Sequence, residues 1–230
     1  MKPLISESED PNALRLLGRA SVQIVHDLKN QLNGLKLYAT FLRKRLEKSE
    51  RPADELETIN KLIAGLDRTA TDLSMIVEYG QPLELDTAPG TDLGKIVVSM
   101  AAGLNHGTDA NGSIIRPIVI EPEPPLLVGE FDSVILSKAL RLISLGAMKL
   151  LTNKAGAAAL TIHLRSEIIE AKRSGVIEWR GFPSLDHDPF HSFAGSDEIK
   201  MSLAAKIVEA HGGSAERQDG ALRVRLPLAP

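Results

Sequence analysis

The residues best equipped for chemistry stand together in the stretch SVQIVHDLKNQLNGLKL. His26 is followed at once by Asp27, and on a helix the positions three and four away share its face. Those positions hold Val22, Gln23, Lys29 and Asn30, with Asn33 one turn further on. An imidazole titrates close to pH 7, so a neutral ring nitrogen is available to attack phosphorus. Asp27 can hold one ring nitrogen as N–H and leave the other lone pair free, while Asn30 can orient a water or an incoming phosphoryl group without charge repulsion. Taken alone, a surface histidine beside an aspartate is also what an ordinary solvated helix presents.

The element that must position these groups is a long helix. Leu14, Leu17, Ser21, Ile24, Leu28, Leu32, Leu35, Ala39, Leu42 and Leu46 recur at steps of three and four, and so do Leu56, Ile59, Ile63, Leu66, Ala70, Leu73 and Val77. This is the spacing of an apolar helical stripe. The short KSERPAD between the two series, with Pro52 suited to a first helical turn, predicts an antiparallel hairpin over residues 10–80. A lone hairpin cannot bury both stripes against itself. Two hairpins paired into a four-helix bundle can, so a homodimer is the expected form, with packing on the rest of the same chain as the alternative. His26 falls off the leucine seam and is expected to point outward.

The character changes at Gly80. GQPLELDTAPGTDLG reads as a linker, followed by an amphipathic helix over Asp92 to Leu104 and a turn-rich HGTDANGS. SIIRPIVIEPEPPLLVG reads as strands broken by prolines, EFDSVILSKALRLISLGAMKLL as a helix, and ALTIHLRSE and GVIEWRGF as alternating strands. EIKMSLAAKIVEAHGG reads as a glycine-ended helix and ALRVRLPL as a closing strand. Residues 90–230 are therefore expected to form a two-layer α/β sandwich with a mostly antiparallel sheet, and the chain as a whole to be α+β.

Composition narrows the function classes. A length of 230 residues holds one large domain or two small ones, and an aromatic content of 3% leaves the core to Leu, Ile, Val and Ala. The net charge of −3 argues against a general nucleic-acid binder. Without cysteine there is no disulfide, thiolate catalysis or Cys-ligated zinc, which fits a reducing compartment. The start, MKPLISESEDPNALRLL, is acidic where a signal peptide needs a basic region, and no apolar run reaches the roughly 20 residues that span a bilayer. A cytoplasmic protein with no membrane segment is expected.

Two stretches carry a family resemblance. HDLKNQLNGLKLYATFL resembles the phosphoacceptor box of the histidine kinase dimerisation domain, with His26, Asp27 and Asn30 at its functional positions and Gln31 where proline is usual. The resemblance implies that His26 takes the phosphoryl group, that Asp27 assists, and that Asn30 supports phosphatase activity toward a receiver domain. SLAAKIVEAHGGSAERQDGALRVRLPL is similar to the closing helix and strands of the histidine kinase ATP-binding domain. Together the matches cover most of the chain, in the family's order.

Three nucleotide-binding elements that the resemblance calls for are missing. Gly146 precedes Ala147 where an asparagine that holds magnesium is expected, Trp179 stands two before Gly181 in place of an adenine-reading aspartate, and Ser196, Glu198 and Lys200 occupy the glycine positions of a phosphate loop. Asp197 and Glu198 would further repel a triphosphate. The C-terminal half then buttresses the bundle and offers a docking face, or takes a changed ligand.

What the resemblance implies is a histidine phosphotransfer protein carrying a phosphoryl group on His26 between response-regulator receiver domains. It needs no cofactor of its own, since the receiver's acidic pocket supplies magnesium. Gln23, Lys29, Asn30 and Asn33 form the expected contact surface, completed by Val22 and Leu37. A receiver phosphatase, or a non-catalytic pseudokinase that binds a receiver, is the alternative. The other histidines carry no role: Asp186, His187 and His191 fall in the region of the family's mobile lid and read as a solvated loop, His211 reads as helix-terminal, His163 alternates within a strand, and His106 lies in a turn. No metal site is assigned.

Overall fold

A computed structural model describes residues 11–47, 53–105, 117–121, 126–152, 159–169, 172–181, 188–193, 195–218 and 220–229, the side chains of 11–23 and 53 aside. The chain divides into two compact units, Met1–Pro82 and Leu83–Pro230. His106, Pro52, Asp186 and His187 lie outside the described residues.

The first unit is a helical pair, α1 (Pro11–Leu46) and α2 (Ala53–Gly80). Charge placement favours both ends that meet at the connection. Arg43, Lys44 and Arg45 fill the last turn of α1, and Asp54 and Glu55 the first turn of α2, each opposing the local end of the helix dipole. The leucine series divides between two directions. Ala39 is buried, Leu32 and Leu46 are half-buried, and Ile24, Leu28, Leu35 and Leu42 remain exposed along one strip. Lys36 reaches from α1 to Asp67 on α2 at 2.5 Å.

The second unit has α3 (Leu93–Asn105), α4 (Ser133–Thr152) and α5 (Ser196–Ala210) beside a five-stranded sheet. Its strands are β2 (Ile118–Ile120), β4 (Leu160–Ile169), β5 (Lys172–Arg180), β6 (Ser214–Gln218) and β7 (Ala221–Pro227), in the order β2-β4-β5-β7-β6. Only the β2–β4 pair is parallel. Alternation sorts the faces. Ile162, Leu164, Ile177, Trp179, Leu222, Val224 and Leu226 are buried with the inner faces of α4 and α5, while His163, Arg165, Glu178, Arg223 and Arg225 stand on the other face. A fold of helices and a mixed sheet, preceded by a helical pair, is α+β as expected.

The proline- and glycine-rich stretch after Gly80 is not wholly a linker. Ala88–Asp92 forms β1, antiparallel to β3 (Val128–Phe131), with an irregular register between Ala88 and Thr91 where Gly90 takes a φ of +76°. Its turn-like composition conceals a two-stranded pairing whose partner lies about 40 residues on. SDEIKM, which the resemblance placed in a phosphate loop, opens α5 as regular helix. A short 3-10 helix, Pro189–His191, lies within the segment read as loop. None of the described helices is long and apolar enough to cross a membrane.

Candidate functional site

One element, α1, carries all the residues singled out around His26, so their spacing is set by helix geometry alone. The His26 side chain is 61% exposed. Leu28, in the apolar strip, lies about 200° round the helix from it, so the imidazole faces away from that strip. Asn30 Nδ2 stands 3.4 Å from His26 Nδ1, and Asp27 Oδ1 stands 3.6 Å from the same nitrogen. Among the described residues Nε2 has no partner. A proton on Nδ1 faces the Asp27 carboxylate and leaves the Nε2 lone pair open to solvent, whereas in the other neutral tautomer Nδ1 accepts from Asn30 Nδ2. Both contacts are long, so the ring is oriented weakly.

Asn33 and Leu37 are exposed and Lys29 is half-buried on the same helix, while Val22 and Gln23 have side chains outside the described ones. Tyr38 and Phe41 were not anticipated. Both are exposed, next to and one turn beyond Leu37. Their off-seam position in LYATF is the sequence signal that exposes them.

In the second unit, the positions that the resemblance tied to nucleotide are occupied by packing. Trp179 is fully buried, and its indole N–H donates to Ser144 Oγ at 2.9 Å, the hydroxyl in turn meeting Met100 Sδ at 3.6 Å. A Cβ added at Gly146 would meet Met201 Sδ at 2.6 Å, so the thioether covers the place of the expected asparagine. Beside it lies a cleft of about 210 Å³ with Lys149, Asp197 and Glu198 in its lining. Lys149 Nζ meets Asp197 Oδ1 at 2.5 Å. Asp197 engages both Lys149 and, at 3.6 Å, Lys200, and with these ammonium groups drawn to a carboxylate and regular helix in place of a glycine loop the cleft does not fit a magnesium-bound triphosphate.

Three buried polar side chains do more than local sequence signals indicate. Asp132 caps α4, accepting from the backbone N–H of Val134 and Ile135, and from that of Asp86. The Ile135 N–H, more than the other donors, holds its carboxyl below the usual range. His211 is more than helix-terminal. It is buried, its Nε2 accepts from the Asp132 backbone N–H at 3.2 Å, and Nδ1–H donates to the Ile207 carbonyl at 2.8 Å, which selects the neutral tautomer. Of the glycines after it, Gly212 takes a φ of +72°, and Gly213 is fixed by packing, since a Cβ there would lie 2.3 Å from the Arg225 carbonyl oxygen.

Glu178 is the third. Only 2% exposed, it accepts from Arg180 Nη2 at 2.6 Å, Arg165 Nη1 at 2.7 Å and Arg223 Nε at 2.7 Å. Burial opposes its charge, but these three guanidinium bonds win and lower its pKa to about 2. His163 sits across from it in the β4–β5 register, half-buried on the open sheet face. His191 Nδ1 meets Asp188 Oδ2 at 2.8 Å. No group of three metal-ligating side chains occurs among the described residues.

No protein-family profile and no curated protein sequence matches the chain. Solved structures do. Full-length ShkA, in complex with AMPPNP, is similar over 92% of this chain with 18% identity and a TM-score of 0.63. The chain spans 46% of that protein's length. The histidine kinase AdeS of Acinetobacter baumannii is similar over 89% of this chain and 97% of its own, at 16% identity and a TM-score of 0.53. The histidine kinase ThkA, solved with the response regulator TrrA, is similar over 95% of this chain and 64% of its own, at 18% identity and a TM-score of 0.55. The helical pair and the α/β domain together have the histidine kinase fold.

Proposed function

We propose that this chain is a histidine phosphotransfer protein of a two-component phosphorelay, moving phosphoryl groups between receiver domains without using ATP. His26 Nε2 attacks the phosphorus of a receiver's phosphoaspartate, the N–P bond forms as the acyl O–P bond breaks, and the receiver's carboxylate leaves with its magnesium. The phosphohistidine then donates to the aspartate of a second receiver. Asp27 steadies the ring through Nδ1, and Lys29, Asn33 and Leu37 lie along the face on which a receiver docks. Such a carrier works in the cytoplasm, where receivers are.

The observation that carries the reading is the exposed His26 imidazole, approached among the described residues only at Nδ1 and open at Nε2. The packing of Trp179 and Met201 supports the part without ATP. The exposed strip of Ile24, Leu28, Leu35 and Leu42 supports pairing with a second copy, which would leave His26 accessible on the far side. The similar kinase ThkA was solved with a response regulator, which supports a receiver as partner.

The test is to mix the protein with receiver domains phosphorylated by a small phosphodonor and follow the label. Wild type should acquire acid-labile phosphohistidine and pass it on, while His26→Ala should not; equal transfer by both would end the proposal. Saturable stabilisation by ATP in a melting experiment would return the chain to the kinases. A receiver-phosphatase reading is favoured by one observation, the Asn30 carboxamide beside the imidazole, and it predicts phosphate release without any phosphohistidine.

A further inference from the structure

The open face of the sheet holds more guanidinium than it can neutralise locally. Arg165, Arg180 and Arg223 all converge on the single carboxylate of Glu178. Arg225 is paired with Glu167 and Glu216, which also stand 3.4 Å from Arg165 Nη2 and 3.7 Å from Arg223 Nη1, so among the described residues of this face these four guanidinia share three carboxylates. At the corner where β5, β6 and β7 meet, the excess borders a cleft of about 450 Å³. Its lining includes Glu178, Arg180, Gly181, Gln218, Gly220 and Arg223.

The donors in this cleft are only partly used. Arg180 spends Nε and Nη2 on Glu178 Oε2, and Arg223 spends Nε on Glu178 Oε1 and Nη1 on Gln218 Oε1, with Glu216 Oε1 3.7 Å from the same Nη1. Arg180 Nη1 and Arg223 Nη2 have no partner among the described residues. Glu178 anchors both guanidinium planes from beneath, so their remaining edges are held in place instead of waving on free side chains. Arg180 is 51% exposed, which leaves its outer edge reachable from solvent. Gly181 and Gly220, both at positive φ, flank the opening with no side chain to fill it.

We propose that this corner cleft binds a small soluble anion of the phosphate type, gripped by the outer edges of Arg180 and Arg223. The buried carboxylate below sets how deep the anion can go, because the pair of guanidinia lies between them. Two preorganised forks match phosphate oxygens better than a lone point charge would, and the cleft is large enough for two linked phosphoryl groups. The site lies on the sheet and owes nothing to His26, so it stands or falls apart from the phosphorelay reading.

The full chain should be titrated with inorganic pyrophosphate by calorimetry at near-physiological salt, with orthophosphate and vesicles of phosphatidylcholine carrying phosphatidylglycerol as separate arms. Saturable binding of pyrophosphate is expected, weakened roughly tenfold in Arg180→Gln and unchanged in Arg68→Gln on α2. Circular dichroism establishes that each variant is folded, and Arg180 is chosen over Arg223 because it is the more exposed of the two. The proposal is overturned by wild type that does not bind pyrophosphate, by equal affinity in folded Arg180→Gln, or by binding confined to the vesicles.

Discussion

The two clusters of polar side chains in this chain are built in opposite ways. Around His26 the neighbours stand 3.4 and 3.6 Å away, on one face of one exposed helix. Around Glu178 three guanidinia from three strands close to 2.6–2.7 Å on a carboxylate removed from water. A group that must meet another molecule has to be reachable and weakly committed, whereas a charge that joins strands has to be bonded on all sides to offset its desolvation. Replacing a member of the first cluster should therefore cost activity and leave stability alone, and replacing a member of the second should do the reverse.

The contrast is most exposed at His26. His26→Ala should lower phosphoryl transfer at least about thousandfold, as loss of a nucleophile does, and leave the melting temperature within about a degree of wild type. Rapid-quench transfer assays and calorimetry read the two sides. A large fall in melting temperature would mean that the imidazole is structural and the comparison is wrong.

In the other region, Trp179→Ala should destabilise the α/β unit by about 3–5 kcal/mol, through the cavity it opens and the indole N–H it removes from Ser144 Oγ. Urea unfolding measures this. If the variant also bound ATP, the indole would be the element that excludes nucleotide.

Glu178→Gln should cost about 3 kcal/mol, because it strands guanidinia that shared one charge. The same residue sharpens the comparison through pH. Its pKa falls from 4.5 in the unfolded chain to about 2 in the fold, so its contribution is complete above pH 4.5 and is lost as pH falls toward 2. Wild type should show a steep loss of urea midpoint across that window, and Glu178→Gln a shallower one. Identical acid limbs would remove Glu178 from the network's energetics.

The smallest effect belongs to Asn30→Ala, which should change receiver dephosphorylation by about tenfold at most and stability by less than about 0.5 kcal/mol. An effect on phosphate release larger than that of His26→Ala would favour the phosphatase reading.

How far the sequence could be read follows from the range of the interactions involved. His26, Asp27, Asn30, Asn33 and Leu37 lie on one helix, and helical periodicity alone relates their faces. The stretch after Gly80 misled because its prolines and glycines describe local turns, while the strand Ala88–Asp92 exists through pairing with Val128–Phe131. The family resemblance places SDEIKM in a loop, yet with no glycine among its six residues it forms the start of the helix that follows. Tyr38 and Phe41 stand off the leucine seam, so helical periodicity alone marks them as exposed.

The sequence by itself determined the helical pair, the outward histidine, the two-layer α/β unit and the missing nucleotide motifs, since each depends on residues within a few turns or on local replacements. Only the tertiary structure decided which groups close around Glu178, what caps α4, and what lies over Gly146. The reason is separation along the chain. Glu178 meets Arg223 from 45 residues away and Asp132 meets His211 from 79, and such meetings depend on strand order and helix packing that no local pattern records.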